Sequence, residues 1–179
     1  MSKFYTSLTT RVQKFISEQK MFFVATAPFD GRINLSPKGM DSLKVVNGNR
    51  ILWLNFTGSG NETAAHILEN QRITIMFCSF QGAPNILRIY GKGKAIHPND
   101  TEWKNLISLF PETLGGRQIF DITVESAQDS CGMSIPYYEF QGERNQLKDW
   151  AENQKEGAIE KYWEDRNTES IDSSPTGIK

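Results

Sequence analysis

Apolar and polar positions alternate with different periods along the chain, and the changes of period mark out its elements. Over residues 6–19, Leu8, Val12, Phe15 and Ile16 recur at helical spacing and predict a first helix. Residues 21–27 form a short unbroken apolar run, the pattern of a buried strand. Pro28-Phe29-Asp30-Gly31 supplies turn chemistry, and residues 32–36 alternate, so the two segments read as a β-hairpin. Residues 42–46 and 50–56 flank Asn47-Gly48-Asn49 and predict a second hairpin. A glycine-rich loop, Thr57-Gly58-Ser59-Gly60, leads into a short helix over 62–69. Strands over 73–79 and 85–96 follow. Trp103, Leu106, Ile107 and Phe110 then share one face of a helix over 101–109. Residues 117–124 predict a further strand, and an irregular apolar stretch follows 131–136. Residues 143–164 read as a charged helical segment, and the Ser/Pro/Gly-rich residues 170–179 as a disordered tail.

Strands in hairpin order, with helices between or after them and no βαβ alternation, predict a mainly β, α+β fold built on an antiparallel barrel or sandwich. A chain of 179 residues can bury a core without disulfides or metal. The domain is placed at 1–150, with 151–179 as a charged helix and tail.

Charge changes this picture little. Twenty basic residues balance 21 acidic ones, leaving a net charge of -1, so bulk charge recruits neither nucleic acid nor an anionic membrane. Cys78 and Cys131, with His66 and His97, are too few for a zinc site or a disulfide scaffold, and a metalloenzyme is not expected. No apolar run is long enough to span a bilayer, and the first residues lack a signal-peptide pattern, so a cytoplasmic location is expected.

Candidate chemistry concentrates in two segments. From Ile51 to His66 the order is strand, glycine loop, helix start, an arrangement suited to anion capture by backbone N–H groups. Thr57, Ser59, Asn61 and Thr63 add side-chain donors. The same residues also read as plain helix capping: Ser59 with Glu62 makes a capping box, and Asn61 is a good N-cap. Earlier, Arg32, Asn34 and Ser36 share one strand face, with Ile33 and Leu35 on the other. A solvated face is the ordinary reading of such alternation. Pro37-Lys38-Gly39, however, frees backbone amides and sets a cation at the strand's end, where a flavin or nucleotide ring could be held. Arg88, inside the apolar run Ile86-Leu87-Arg88-Ile89-Tyr90, must find an ion pair, an edge or a ligand. Cys78 reads as a small buried hydrophobe and His66 as a packed or surface residue rather than a base.

Five runs carry a likeness to a known family: residues 23–27, 30–39, 58–66, 72–78 and 87–91. Together they resemble the pyridoxamine 5'-phosphate oxidase-like family of FMN-binding split barrels, over roughly residues 5–150. Residues 130–136, followed by Glu143-Arg144, resemble the C-terminal signature of one branch. The resemblance implies a six-stranded Greek-key split barrel with flanking helices, and a homodimer with two FMN sites at its interface. It places residues Asn34, Ser36, Pro37 and Lys38 along the isoalloxazine ring, and Phe56 and Thr57 beside the ribityl chain and phosphate. Ser59, Asn61, Glu62 and Thr63 fall at the phosphate, the last three where the true oxidases carry Ser-Arg-Lys. Arg88 lies on the strand that reaches the flavin across the dimer. Glu62-Thr63 thus removes two cations and adds an anion. Arg32, Lys38 or Arg88 would then compensate, or Glu62 would turn away as a cap partner of Ser59. The end of the chain lacks the Arg- and His-bearing segment that recognises vitamin B6. The expectation is therefore an FMN-dependent oxidoreductase of undefined substrate outside the vitamin B6 branch. The competing one is a non-enzymatic barrel that binds flavin, haem or another cofactor, or binds nothing tightly.

Overall fold

The computed structural model describes residues 2–111 and 114–178. In chain order the elements are β1 (Lys3–Tyr5), α1 (Thr10–Glu18), β2 (Phe22–Thr26), β3 (Asn34–Lys38), β4 (Leu43–Asn47), β5 (Arg50–Phe56), α2 (Glu62–Asn70), β6 (Arg72–Cys78), β7 (Ile86–Ile96), α3 (Trp103–Ile107), β8 (Gly116–Ser130), α4 (Gln146–Glu152) and α5 (Ala158–Arg166). The strands form one antiparallel sheet in the order β3-β2-β6-β7-β8-β5-β4, with β1 paired to β8. An antiparallel sheet with flanking helices is the α+β class that the hairpin order predicts.

The core shows that this sheet curls on itself. Three strands separate β2 from β5 in the sheet, yet Phe22 of β2 meets Trp53 of β5 edge-on, with ring centroids 6.2 Å apart. Phe22 also packs on Phe77 of β6 at 5.8 Å, and Trp53 stacks on Phe120 of β8 at 4.8 Å. A flat sheet could not bring these rings together. Strand β5 carries an unbroken apolar run because both its faces are buried. Ile51 and Trp53 enter the central core, while Leu52 and Leu54 join Ile96, Phe110 and Ile119 in a second cluster against α3. Helix α1 begins at Thr9, whose Oγ1 accepts the Val12 N–H at 3.4 Å, and it buries Val12 and Ile16. Helix α2 buries Ala64, Ala65 and Ile67 and packs against β2, β6 and β7.

Several expectations differ from the structure. The sheet has eight strands rather than six. Strand β1 lies ahead of the first helix, where Asp129 accepts the Lys3 N–H and the Tyr5 hydroxyl at 3.0 and 2.6 Å. Strand β8 continues to Ser130, well past the expected end at 124, because β7 offers it a partner along that whole length. The β7–β8 register shifts between Tyr90 and Gly91, and a Cβ at Gly91 would lie 2.3 Å from the Thr123 carbonyl oxygen. A glycine at that bulge is therefore a requirement of close backbone approach. The expected helix over 143–164 is two helices, α4 and α5, parted at Gly157, whose φ is 75°.

The largest difference is the tail. Composition suggests disorder, but residues 167–178 fold back onto the barrel: Thr176 and Asn167 are fully buried, and Glu169 pairs with Pro175 in an antiparallel bridge. The segment lacks the apolar surface of a core element, and buried hydrogen bonds hold it instead. Among the described residues no helix is long and apolar enough to cross a membrane.

Candidate functional site

A cavity of about 630 Å³ lies between β3, the 58–61 loop, the start of α2, the first residues of β8 and residues 166–171. That volume suits a small-molecule ligand. Edge strand β3 turns its polar residues toward the cavity. Asn34, Ser36 and Lys38 are half-buried and line it, while Leu35 faces outward and Pro37 lines the neighbouring, larger cleft. Arg117, the second residue of β8, enters from the opposite wall and is only 2% exposed.

The electrostatics of this pair are unusual. Burial, with a smaller contribution from the Arg117 charge, lowers the Lys38 pKa from 10.5 to about 8. Lys38 Nζ sits 5.2 Å from the centroid of the Trp53 ring. Burial likewise lowers Arg117 to about 10. Its Nη atoms donate to three neutral oxygens: the carbonyls of Gly58 (3.5 Å) and Gly60 (3.1 Å), and Asn167 Oδ1. Neither cation forms an ion pair among the described residues. Arg117 Nε and Asn61 Oδ1 are buried with no hydrogen-bond partner. Two desolvated cations without an ion-pair partner, one with an unused N–H, can receive an anion, although the carboxylates of Glu62 and Glu169 line the same cavity.

The structure brings together most of the candidates suggested by sequence. Asn34, Ser36, Lys38, Ser59, Asn61, Glu62 and Thr63 all line the cavity. Thr63 Oγ1 accepts from Asn34 Nδ2 at 3.1 Å, tying α2 to β3. The Thr57 hydroxyl is already committed, donating to the Gly115 carbonyl (2.9 Å) and accepting from Trp163 Nε1 (2.7 Å). Phe56 packs into the second apolar cluster. Arg32 lies outside the cavity and is paired with Asp172, so it does not compensate for the missing cations. Arg88 is also apart, donating to Ser130 Oγ at 3.1 Å.

The expected capping box does not form. The Glu62 carboxylate accepts the Ile171 N–H at 3.0 and 3.2 Å, and Asn61 Nδ2 donates to the Asn167 carbonyl at 3.3 Å. The physical reason is the tail, which brings its own backbone groups to this helix terminus. His66 is buried, with Nδ1 2.9 Å from Thr26 Oγ1, which fits its reading as a packed residue.

Sequence reasoning missed Arg117, Trp163 and Asn167. Arg117 carried a usable signal, since a charge opening the apolar run Ile119-Phe120 needs a partner just as Arg88 does. Asn167 and Trp163 carried none, because their roles depend on where the chain folds back.

Lys38 also lines a second, larger cleft of about 1350 Å³. Its walls include Phe15, Met21, Phe80, Tyr138 and Phe140. Phe80 and Tyr138 meet edge-on at 5.5 Å, and the Tyr138 N–H donates to the Phe80 carbonyl at 3.2 Å. The anion cavity and the aromatic-walled cleft thus meet at one lysine.

The fold is a curled antiparallel sheet with a polar, cation-bearing cavity at its edge strand. The family model for pyridoxamine 5'-phosphate oxidase matches residues 8–131, and the chain belongs to that family. A curated relative, the pyridoxamine 5'-phosphate oxidase family protein ustO of Aspergillus flavus, is 36% identical over 141 residues. The alignment covers 76% of this chain and 57% of that relative, so the chain spans little more than half of the relative's length. A crystal structure of a HupZ variant from Group A Streptococcus superposes with a TM-score of 0.55 at 18% identity, covering 69% of this chain and 99% of that one. The structure of the FAD binding protein from Mycobacterium smegmatis gives 0.50 at 12% identity, covering 70% and 97%. These two likenesses are of fold.

Proposed function

We propose that the protein is an FMN-binding flavoprotein of the cytoplasm, an oxidoreductase of undefined substrate. The observation that carries this reading is the pair Lys38 and Arg117, a half-buried and a buried cation without an ion-pair partner on one cavity. The residues present fit a phosphate: Arg117 Nε is an unused buried donor, and Ser59 and Lys38 line the same cavity as further donors. Asn34, Ser36 and Lys38 on β3 would flank the flavin ring system. Family membership and the FAD binding protein of the same fold support a flavin as the ligand.

In this reading the flavin supplies two-electron redox chemistry, and the chain supplies binding, orientation and electrostatics. Lys38 carries its proton below about pH 8 and offers a positive charge on the boundary between cavity and cleft. Substrate would enter by the aromatic-walled cleft, where Phe80, Tyr138 and Phe140 offer apolar surface to a ligand. A homodimer is part of the proposal. Beside the edge strand, Ile33 (77%) and Leu35 (63%) are exposed, and such apolar surface calls for a partner.

One observation favours the competing reading of a protein that does not hold FMN. Glu62 lines the cavity and puts a carboxylate where a phosphate would lie nearby. The test is direct. Purified protein should be yellow or should take up FMN stoichiometrically, with quenching of flavin fluorescence. Colourless protein that fails to take up added FMN refutes the proposal.

A further inference from the structure

Asn167 follows α5 and is fully buried; its N–H closes the helix on the Trp163 carbonyl, while its side chain and its carbonyl bond toward the cavity and the strap. Its Oδ1 accepts from Arg117 Nη1, and its Nδ2 donates to the Gly58 carbonyl at 3.1 Å. Its backbone carbonyl accepts from Asn61 Nδ2 and from the Thr176 hydroxyl. One side chain therefore joins β8 to the glycine loop, while its backbone joins the start of α2 to the buried strap. The strap is fastened beyond it by the Ile171 N–H on Glu62 and by Asp172 on Arg32.

The chemistry of the residue matters as much as its place. A buried arginine is ordinarily satisfied by a carboxylate, which cancels its charge. Here an amide satisfies one Nη while leaving the guanidinium formally unpaired, and Nε remains free. The position is thus built to aim a cation without spending it. That supplies a cation at a cavity whose helix start carries Glu62-Thr63 rather than basic residues.

We propose that Asn167 is the positioning residue that makes this cavity select a phosphate-bearing ligand over its dephospho form, by holding Arg117 against the glycine loop without neutralising it. The inference rests on the anion-cavity reading above. It assigns to the strap after α5 a part of the recognition that the glycine loop and β3 do not contain.

The test compares the full chain with Asn167→Asp, which is nearly isosteric, keeps an acceptor for Arg117 and converts the contact into an ion pair. Affinities for FMN and riboflavin are read from flavin fluorescence, and for inorganic phosphate by calorimetry. The expected result is a loss of tenfold or more for FMN, a comparable loss for phosphate, and riboflavin unchanged within about twofold. Unchanged FMN affinity, or equal losses for FMN and riboflavin, overturns the inference, because a merely structural role cannot separate the two flavins. If the wild-type chain takes up no flavin but holds phosphate, and Asn167→Asp releases it, the inference stands and the flavin reading falls. If the wild type binds neither, both fall. Near-UV circular dichroism checks the fold. Should the aspartate variant be misfolded, Asn167→Ser serves in its place, with a loss of about threefold expected for FMN alone. Equal affinities there overturn the inference.

Discussion

Replacing Lys38 by methionine should make the protein more stable and a poorer ligand binder at the same time. Methionine keeps the length of the side chain and its packing near Trp53, but removes a cation that has no counter-charge. The lysine titrates at 10.5 when unfolded and near 8 when folded. Below pH 8 both states hold the proton, and the folded state bears the whole penalty of burying the charge. Between 8 and 10.5 the folded state sheds the proton while the unfolded state keeps it, so wild-type stability rises with pH and the penalty is gone above that window. The displacement corresponds to about 3 kcal/mol. Residual water contact and the lost attraction to the Trp53 ring reduce the expected net gain to about 1–2 kcal/mol at pH 7. Urea unfolding of both proteins at pH 7 and pH 10 measures this, and the advantage of Lys38→Met should shrink at the higher pH. Added FMN should stabilise the wild type more than the variant. A variant less stable than wild type by 1 kcal/mol or more at both pH values would refute the reasoning, since Lys38 would then have a partner that stabilises its charge.

Glu62→Gln should raise FMN affinity by about three- to tenfold, because it removes a negative charge from the cavity and keeps an oxygen for the Ile171 N–H; equal or weaker binding by fluorescence titration would place the carboxylate out of reach of the phosphate. Gly91→Ala should destabilise the fold by about 1–3 kcal/mol or more, since the new Cβ meets the Thr123 carbonyl, and a urea midpoint matching the wild type would contradict that crowding. FMN affinity should fall as pH rises through 8, with riboflavin affinity flat over the same range; parallel profiles would remove Lys38 from phosphate binding. Sedimentation should give a dimer at micromolar concentration and a monomer for the double substitution Ile33→Glu, Leu35→Glu, while a monomeric wild type would dismiss β3 as an interface.

The hydrophobic pattern by itself determined the antiparallel, hairpin-ordered sheet, because each period of two or 3.6 fixes which side chains share a face. It also determined the polar face of β3, where Asn34, Ser36 and Lys38 sit at every second position and must look the same way. Local pattern could not say that this face turns toward a cavity rather than water, since alternation reads identically in both cases. Nor could it decide the partner of Glu62: the Ser59 spacing allows a capping box, but an amide more than a hundred residues later competes for the same carboxylate and takes it. The tail shows the limit most clearly. Residues 170–178 have the composition of a solvated segment, and no local signal separates such a segment from one stapled down by Asn167, Thr176 and Asp172. Its order comes from hydrogen bonds to groups brought near it only by the curl of the sheet. The cation that completes the site, Arg117, depends on that same curl. Tertiary structure therefore decided the chemistry of the cavity, while the sequence pattern determined the strands that surround it.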